Sequence, residues 1–111
     1  MPEPAEARDA RIREVVRALG EGEVTTYGEI AEVAGLPGRS RLVGHVLASS
    51  ADPDLPWWRV VNAVGRLVPG EEAEQAALLR AEGVRVEGGR VRDAPAGRFR
   101  PRDRRPRPSA P

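Results

Sequence analysis

The sequence lacks the residue types that carry most enzyme chemistry. Its 111 residues include no cysteine and one histidine. The lack of cysteine excludes disulfides, thiolate-bound zinc, iron–sulfur clusters and a cysteine nucleophile, and one histidine argues against a metalloenzyme. No apolar run approaches the about 20 residues of a membrane span. The first residues also lack the basic and apolar regions of a secretion signal. We therefore expect a cytoplasmic binding protein that needs no cofactor or metal and contacts no membrane.

Lysine is absent too, so all 18 basic residues are arginines. Codon bias could explain this. Whatever the cause, every positively charged side chain that results is a planar guanidinium, which is suited to phosphate binding and stacking. The net charge is +1, yet residues 93–111 hold six arginines and two aspartates, net +4, which leaves residues 1–92 at −3. This length has room for one domain. We predict a domain over residues 1–92 and a disordered, Pro/Arg-rich tail over residues 93–111. The tail would either bind nucleic acid or aid solubility.

Hydrophobic spacing predicts three helices in the first half of the chain. The first covers residues 7–19, and the third runs from about Arg39 to Ala48. Thr26 and Glu29 form a capping box at the start of the second helix. Two helices joined by a glycine-containing turn are typical of a helix-turn-helix. The apolar positions expected to face the core are Ile12, Val15, Val16 and Leu19 in the first helix, Ile30, Val33 and Ala34 in the second, and Leu42, Val43, Val46 and Leu47 in the third.

The second half predicts small β elements and one more helix. Residues 57–61 are expected to enter a short strand, and residues 66–68 to return as a second one. A helix is predicted over residues 71–80, and residues 84–92 alternate around Gly88-Gly89 as a β-hairpin. The side chains of this helix expected to pack are Ala73, Ala76, Ala77 and Leu78. Together these patterns predict a mainly α, winged-helix-like domain with a helix-turn-helix and short hairpins.

Two adjacent tryptophans, Trp57 and Trp58, make up half of the aromatic residues. Two such large neighbours cannot both face one small core. We expect one of them to be exposed or to line a cavity. It would either cover the edge of a loop or offer a stacking surface to a flat ligand such as a base.

Four segments carry a family resemblance. They are VTTYGEIA at residues 24–31, GLPGRSRLVG at 35–44, PWWRVV at 56–61 and LRAEGV at 79–84. In this order, and at nearly this spacing, they resemble segments of the O6-alkylguanine-DNA alkyltransferases, also called methylated-DNA–protein cysteine methyltransferases. The resemblance covers roughly residues 8–92. It implies the fold of the C-terminal, DNA-binding domain of these enzymes.

Trp57 stands where these enzymes carry the reactive cysteine, as it does in the alkyltransferase-like branch of the family. The resemblance therefore implies a protein that is not an enzyme. Such a protein binds O6-alkylguanine in duplex DNA through the minor groove, flips the base into a pocket and flags it for nucleotide excision repair. A monomer, nucleoid-associated when bound to DNA, is implied as well.

Trp58 departs from both branches, which usually carry a histidine at this position. In the enzymes that histidine activates the thiol through a water and is oriented by the glutamate that Glu82 matches. Without the cysteine and the histidine no such relay exists here. Glu82 is then expected to serve the structure only, for example by bonding near the backbone of Arg59.

The resemblance also implies roles for single residues. Arg41 matches the arginine that fills the stack vacated by the flipped base, and Tyr27 matches the tyrosine that pushes on the neighbouring phosphate. The alternatives are an ion pair from Arg41 to Glu29 or Glu32, a core position for Tyr27 and a solvated His45. The predicted DNA contacts are Thr26, Tyr27, Ser40, Arg41, Gly44 and His45. The predicted lesion pocket consists of Tyr27, Leu47, Trp57, Trp58, Arg59 and Val60.

Two other functions remain open from the residues alone. One is a helix-turn-helix transcriptional regulator, or a general DNA-binding protein without lesion specificity. The other is a protein-interaction module that uses the tryptophan pair and the basic tail. Preferential binding to a duplex that contains O6-alkylguanine would distinguish the lesion-binding hypothesis from both of these alternatives. A salt titration would distinguish a DNA-binding protein from one that does not bind DNA.

Overall fold

The computed structural model describes residues 3–101, which form four helices, five short strands and one turn of 3-10 helix. The helices are α1 (Ala5–Arg17), α2 (Tyr27–Val33), α3 (Ser40–Ala48) and α4 (Glu72–Ala81), and the 3-10 turn covers Trp57–Arg59. The strands are β1 (Glu23–Thr26), β2 (Val60–Val61), β3 (Arg85–Glu87), β4 (Arg90–Asp93) and β5 (Ala96–Gly97). Over the described range no helix has the length and apolarity needed to cross a bilayer.

The first three helices enclose one apolar cluster, which confirms the predicted helix-turn-helix region. Ile12 and Val16 of α1 are fully buried against Ile30 of α2 and against Val43 and Val46 of α3. Val15, Leu19, Leu42 and Leu47 pack at the margin of this cluster. Removing such side chains from water is the main driving force that holds the three helices together.

The start of α2 is fixed by the capping residue that the sequence predicts. The hydroxyl of Thr26 accepts a hydrogen bond from the backbone amide of Glu29 at 3.1 Å, which satisfies one of the free amides at the helix start. The inward face of α2 was predicted less well. Val33 is 73% exposed, whereas Ala31 is buried beside Ile30. The buried positions 30, 31 and 34 define a face that lies about 110° from Val33, at 100° per residue.

A second apolar cluster lies under α4 and the C-terminal strands. It joins Val24 and Val61 of the central strands to Leu79 of α4 and to Val86 and Val91 of the hairpin. The packing face of α4 differs from the predicted one, because Gln75, Ala76 and Leu79 are buried while Ala73 and Ala77 are exposed. Alanine content therefore did not indicate which face of this helix turns inward.

The hairpin predicted around Gly88-Gly89 is present as the antiparallel pair β3–β4. The strand predicted over residues 66–68 is not. Arg66 makes a single bridge to Arg90 instead of forming a strand with residues 60–61. The side chain of Asn62 accepts hydrogen bonds from the amides of Val64 and Arg66 and closes a tight turn. Leu67 then leaves that turn for the second apolar cluster, and Pro69 has no amide to continue a ladder.

Strand pairing continues past residue 92, where the predicted domain boundary lies. β1 is the centre of a parallel sheet in the order β2-β1-β5, with Thr25 opposite Val60 and Val24 opposite Gly97. Ala94 is buried in the second apolar cluster. The fold thus includes the first residues of the predicted tail. The rest of that tail, residues 102–111, lies outside the described residues.

A glycine-to-alanine exchange tests whether this last strand contributes to stability. Gly97 has φ +87°, and a Cβ there would meet the carbonyl oxygen of Val24 and come within 2.9 Å of its nitrogen. Gly70 has φ +88° but open space around it. We expect Gly70→Ala to cost about 1 kcal/mol for the left-handed backbone and Gly97→Ala to cost roughly 1–2 kcal/mol more for the clash. Chemical denaturation of the two variants measures the difference. Equal losses would mean that β5 does not add to the stability of the fold.

Candidate nucleic-acid interface

A cleft of about 280 Å³ opens where the helix-turn-helix meets the 3-10 turn Trp57–Arg59, here called the tryptophan turn, and the start of α4. One wall is the side of α3 that carries Gly44, Leu47 and Ala48, together with Tyr27. Trp57 forms part of the lining as well. Three of the six residues predicted for the lesion pocket, Tyr27, Leu47 and Trp57, therefore come together around one cavity.

Tyr27 is placed by the element that it begins. It is the first residue of α2, directly after the capping residue Thr26, and its ring approaches α3 at Gly44. A Cβ on Gly44 would lie 3.9 Å from Cε1 of the ring, an ordinary contact distance. Half-burial raises the pKa of the Tyr27 phenol above its usual value, because burial disfavours the charged form. Burial thus favours the neutral phenol, the form that can donate a hydrogen bond.

The two tryptophans separate, as the sequence analysis expected of such a pair. Their ring centroids are 6.2 Å apart and the planes are nearly perpendicular, at 89°. Trp57 faces the cleft, while Trp58 packs against the second apolar cluster. The guanidinium of Arg59 lies 5.4 Å from the centroid of the Trp58 ring, within range of a cation–π contact. One indole is thus free to meet a ligand, and the other is part of the scaffold.

Glu82 ties the tryptophan turn to the rest of the fold. Its carboxylate accepts hydrogen bonds from Nε1 of Trp58 at 2.9 Å, from the guanidinium of Arg59 at 2.8 Å and from the amide of Gly22 at 2.8 Å. Arg59 also donates to the carbonyl of Leu19 at 2.8 Å. Partial burial alone would raise the pKa of Glu82, but the hydrogen bonds from Arg59, Gly22 and Trp58 outweigh it and hold this pKa below its usual value. Glu82 was expected near Arg59, and the contact is with the Arg59 side chain rather than with its backbone.

Gln75 also holds the tryptophan turn in place. The sequence did not predict this role. The amide nitrogen of Gln75 donates to the carbonyls of Trp58 at 3.1 Å and Val60 at 3.2 Å, and its oxygen accepts from the amide of Val68 at 2.7 Å. The side chain is fully buried, so these bonds satisfy groups that cannot reach water. Gln75 thereby positions both the tryptophan turn and Val68, another lining residue of the cleft.

Four predicted site residues have other surroundings than the sequence analysis assumed. Trp58, Arg59 and Val60 do not line the cleft. Trp58 and Arg59 are bonded to Glu82, and Val60 is fully buried in the helical cluster, because β2 pairs with β1 there. Thr26 is 6% exposed and its hydroxyl caps α2. Its contribution is to position Tyr27 rather than to offer a free hydroxyl.

The predicted DNA contacts of α3 lie on one open surface. Ser40, Arg41 and His45 are exposed, and no side chain caps the amides at the start of this helix. Among residues 3–101 Arg41 makes no ion pair with either suggested partner, Glu29 or Glu32, and Glu29 instead contacts Arg98 at 3.5 Å. Free amides at a helix start, an exposed arginine and the small residue Gly44 are features that suit contact with phosphates and with a narrow groove.

The acidic wall of the cleft was also missed. Glu71 and Glu74, at the start of α4, line the cleft beside Val68. Their spacing of three residues places them on one face of the helix, a signal that the sequence carries. The sequence does not reveal what that face is turned to, since tertiary packing sets the orientation of α4.

Comparison with known proteins decides the family. A family model described as "6-O-methylguanine DNA methyltransferase, DNA binding domain" matches residues 7–84. The chain belongs to this family. Its place among the methyltransferase DNA-binding domains agrees with the helical, helix-turn-helix fold with small β elements that the sequence predicts. Trp57, which lines the cleft, occupies the position that the resemblance assigns to the reactive cysteine of the alkyltransferases.

Two relatives whose names state a role can be aligned with about 70% of this chain. The DNA base-flipping protein of Escherichia coli is 45% identical over 82 residues, which are 70% of this chain and 63% of that protein. This chain thus matches less than two thirds of the length of that relative. Alkyltransferase-like protein 1 of Schizosaccharomyces pombe is 32% identical over 81 residues, 68% of this chain and 75% of that protein.

Solved structures of family members have the same fold. A crystal structure of S. pombe Atl1 in complex with damaged DNA containing O6-carboxymethylguanine superposes with a TM-score of 0.71 at 29% identity, over 77% of this chain and 83% of that one. The structure of Mycobacterium tuberculosis O6-methylguanine methyltransferase gives a TM-score of 0.64 at 29% identity, over 78% of this chain and 53% of that one.

Proposed function

We propose that this protein is a non-enzymatic sensor of O6-alkylguanine in duplex DNA. It binds the minor groove through α3, flips the alkylated base into the cleft beside Trp57 and leaves the alkyl group in place. The observation that carries this proposal is the position of Trp57 on a cleft that Tyr27 and α3 also line. The relatives named as base-flipping and alkyltransferase-like proteins support it.

The physical case begins with the cost of extrusion. A base inside a duplex cannot be inspected by a pocket, and flipping it costs a few kcal/mol, less for a weakly paired base. An O6-alkyl group removes a Watson–Crick donor from guanine, so the damaged base is cheaper to extrude. The planar side chain of Arg41 can then fill the vacated stack and bond the orphaned base. Lesion selectivity thus arises from the DNA as much as from the protein.

The cleft offers fit and apolar contact but no thiol. Trp57 and Leu47 present apolar surface, and the 111 residues contain no thiol to accept an alkyl group. An indole is a poor nucleophile at neutral pH. A buried methyl group contributes roughly 0.8 kcal/mol, so selectivity for the methylated base should be modest and larger alkyl groups should be tolerated.

The proposal extends to the partners that the family resemblance implies. The protein acts as a monomer in the cytoplasm, associated with the nucleoid when bound to DNA, and its lesion complex is passed to nucleotide excision repair. This order of events follows from the proposed binding without repair, because a lesion that stays alkylated still requires another protein to remove it.

The function is tested with one labelled duplex that either contains or lacks a single O6-methylguanine. Fluorescence anisotropy at several salt concentrations should show tighter binding to the methylated duplex, and affinity should fall steeply with salt because phosphates are contacted. Equal affinity for both duplexes with a steep salt dependence would favour a regulator or general DNA-binding protein. No salt-dependent binding at all would favour the protein-interaction module.

A further inference from the structure

We propose that Glu71 and Glu74 make the cleft selective for O6 substituents that are neutral or positively charged. Substituents that carry a carboxylate bind with lower affinity. This inference rests on the proposed function, since it concerns which adducts the same cleft accepts. It assigns a specificity role to two residues outside the segments that carry the family resemblance.

The charged side chains that line the cleft are all acidic. Glu71 and Glu74 are exposed lining residues at the start of α4, and neither forms an ion pair or a side-chain hydrogen bond within the described part of the chain. The rest of the lining is apolar or neutral, Tyr27 included, and contains no arginine or histidine. A ligand in the cleft therefore meets two carboxylates and no cation of the lining.

Distance allows these charges to act on a bound adduct. If it were spherical, a cavity of about 280 Å³ would be about 8 Å across, which is less than the Debye length of about 10 Å at 0.1 M salt. Bound DNA also excludes water from the cleft and lowers the screening. An adduct carboxylate is then repelled by both glutamates, whereas an ammonium group is attracted and an amide is little affected. Repulsion of this kind is an effective source of specificity.

Stabilisation of α4 is the competing explanation of these glutamates. Negative side chains in the first turn favour the positive end of a helix, and both Glu72 and Glu74 are in that turn. Glu72 differs in that its carboxylate accepts a hydrogen bond from the amide of Gly70 at 2.9 Å. Glu72 does not line the cleft. It is therefore a matched control, with the same charge in the same turn but a different surrounding.

The experiment compares two adducts of the same size in one duplex sequence. O6-carboxymethylguanine carries a negative charge, and O6-carbamoylmethylguanine is its neutral amide counterpart. In competition anisotropy the native chain should bind the amide duplex on the order of tenfold more tightly than the carboxylate duplex. The double variant Glu71→Gln/Glu74→Gln should reduce this ratio to about twofold or less, and Glu72→Gln should leave it unchanged. Because phosphates are identical in both duplexes, general changes in DNA affinity cancel in the ratio.

The outcomes separate the two claims. Equal binding of the two adducts by the native chain, or a ratio that persists in the double variant, would overturn the charge selectivity. In that case tight binding of an O6-methylguanine duplex relative to an unmodified one would still leave the proposed function standing. If no alkylated duplex competes better than the unmodified duplex, the lesion sensor is wrong and the selectivity is wrong with it.

Discussion

Replacing Glu82 by alanine is expected to lower the free energy of unfolding by about 3 kcal/mol or more. The side chains of Glu82 and Arg59 are only 11% and 15% exposed. The variant would leave the Arg59 guanidinium, the indole N–H of Trp58 and the Gly22 amide without their acceptor. An uncompensated charge and orphaned donors in a nearly dry site are costly. Urea denaturation at neutral pH measures the loss.

Glu87→Ala is the control for this effect. Glu87 pairs with Arg85 at 3.1 Å, but its side chain is 62% exposed, so its removal should change stability by less than about 0.5 kcal/mol. A loss in Glu82→Ala no larger than in Glu87→Ala would contradict the structural role of the Glu82 network.

The same network predicts the direction of the acid response. The pKa of Glu82 is lowered in the fold, so its contribution to stability is present above the unfolded value of 4.5 and is lost as the pH falls through the lower folded value. The stability difference between the native chain and Glu82→Gln should therefore shrink as the pH drops below about 4.5. A constant difference across that range would argue against an ionised, hydrogen-bonded Glu82.

Arg41→Ala is expected to weaken binding to the O6-methylguanine duplex by about tenfold to a hundredfold, which corresponds to roughly 1–3 kcal/mol of lost stacking and base contact. The side chain is exposed and unpaired among the described residues, so the free energy of unfolding should stay within about 0.5 kcal/mol of the native value. Anisotropy titrations measure the affinity, and denaturation checks the fold.

Two further variants separate stacking from charge. Arg39→Ala removes an exposed arginine at the start of the same helix and should cost only one phosphate-type contact, with a salt slope smaller by about one. Arg41→Lys keeps the charge but loses the planar fork, so it should bind almost as poorly as Arg41→Ala. Near-native affinity of Arg41→Lys would contradict the insertion of Arg41 into the base stack.

The Glu82 network also explains how Trp58 can stand in place of a histidine. The indole Nε1 donates to the carboxylate, so the position keeps a ring donor facing Glu82 although it has lost the group that a thiol relay would need. The network and Gln75 together hold the turn that carries Trp57. We infer that Trp58 serves the shape of the pocket indirectly, by fixing its neighbour.

Local signals in the sequence predicted local structure well. The Thr26 cap depends on residues three positions apart, and the hairpin at Gly88-Gly89 depends on its turn and on alternation. The different surroundings of the two adjacent tryptophans were also predictable from their size, although not which of them lines the cleft. Each of these features is determined within a few residues of chain.

Features set by distant parts of the chain were not predictable in the same way. The pairing of β1 with β5 joins residues more than seventy positions apart, and nothing near residue 96 indicates it. Gln75 would be taken for a surface residue of a helix, and its burial follows from the carbonyls of the tryptophan turn. Glu71 and Glu74 became part of the site because α4 is oriented by its buried face, which the alanine pattern did not reveal.

The emission of Trp57 gives the most direct test of the central claim, that an alkylated base is held intact against this side chain. Trp58→Phe leaves Trp57 as the only tryptophan, and Trp57→Phe leaves only Trp58. We predict that the O6-methylguanine duplex quenches the emission of the first variant far more than an unmodified duplex does and hardly affects the second. Mass spectrometry of the recovered DNA should show the methyl group still present. Equal quenching by both duplexes, or transfer of the methyl group to the protein, would contradict the account.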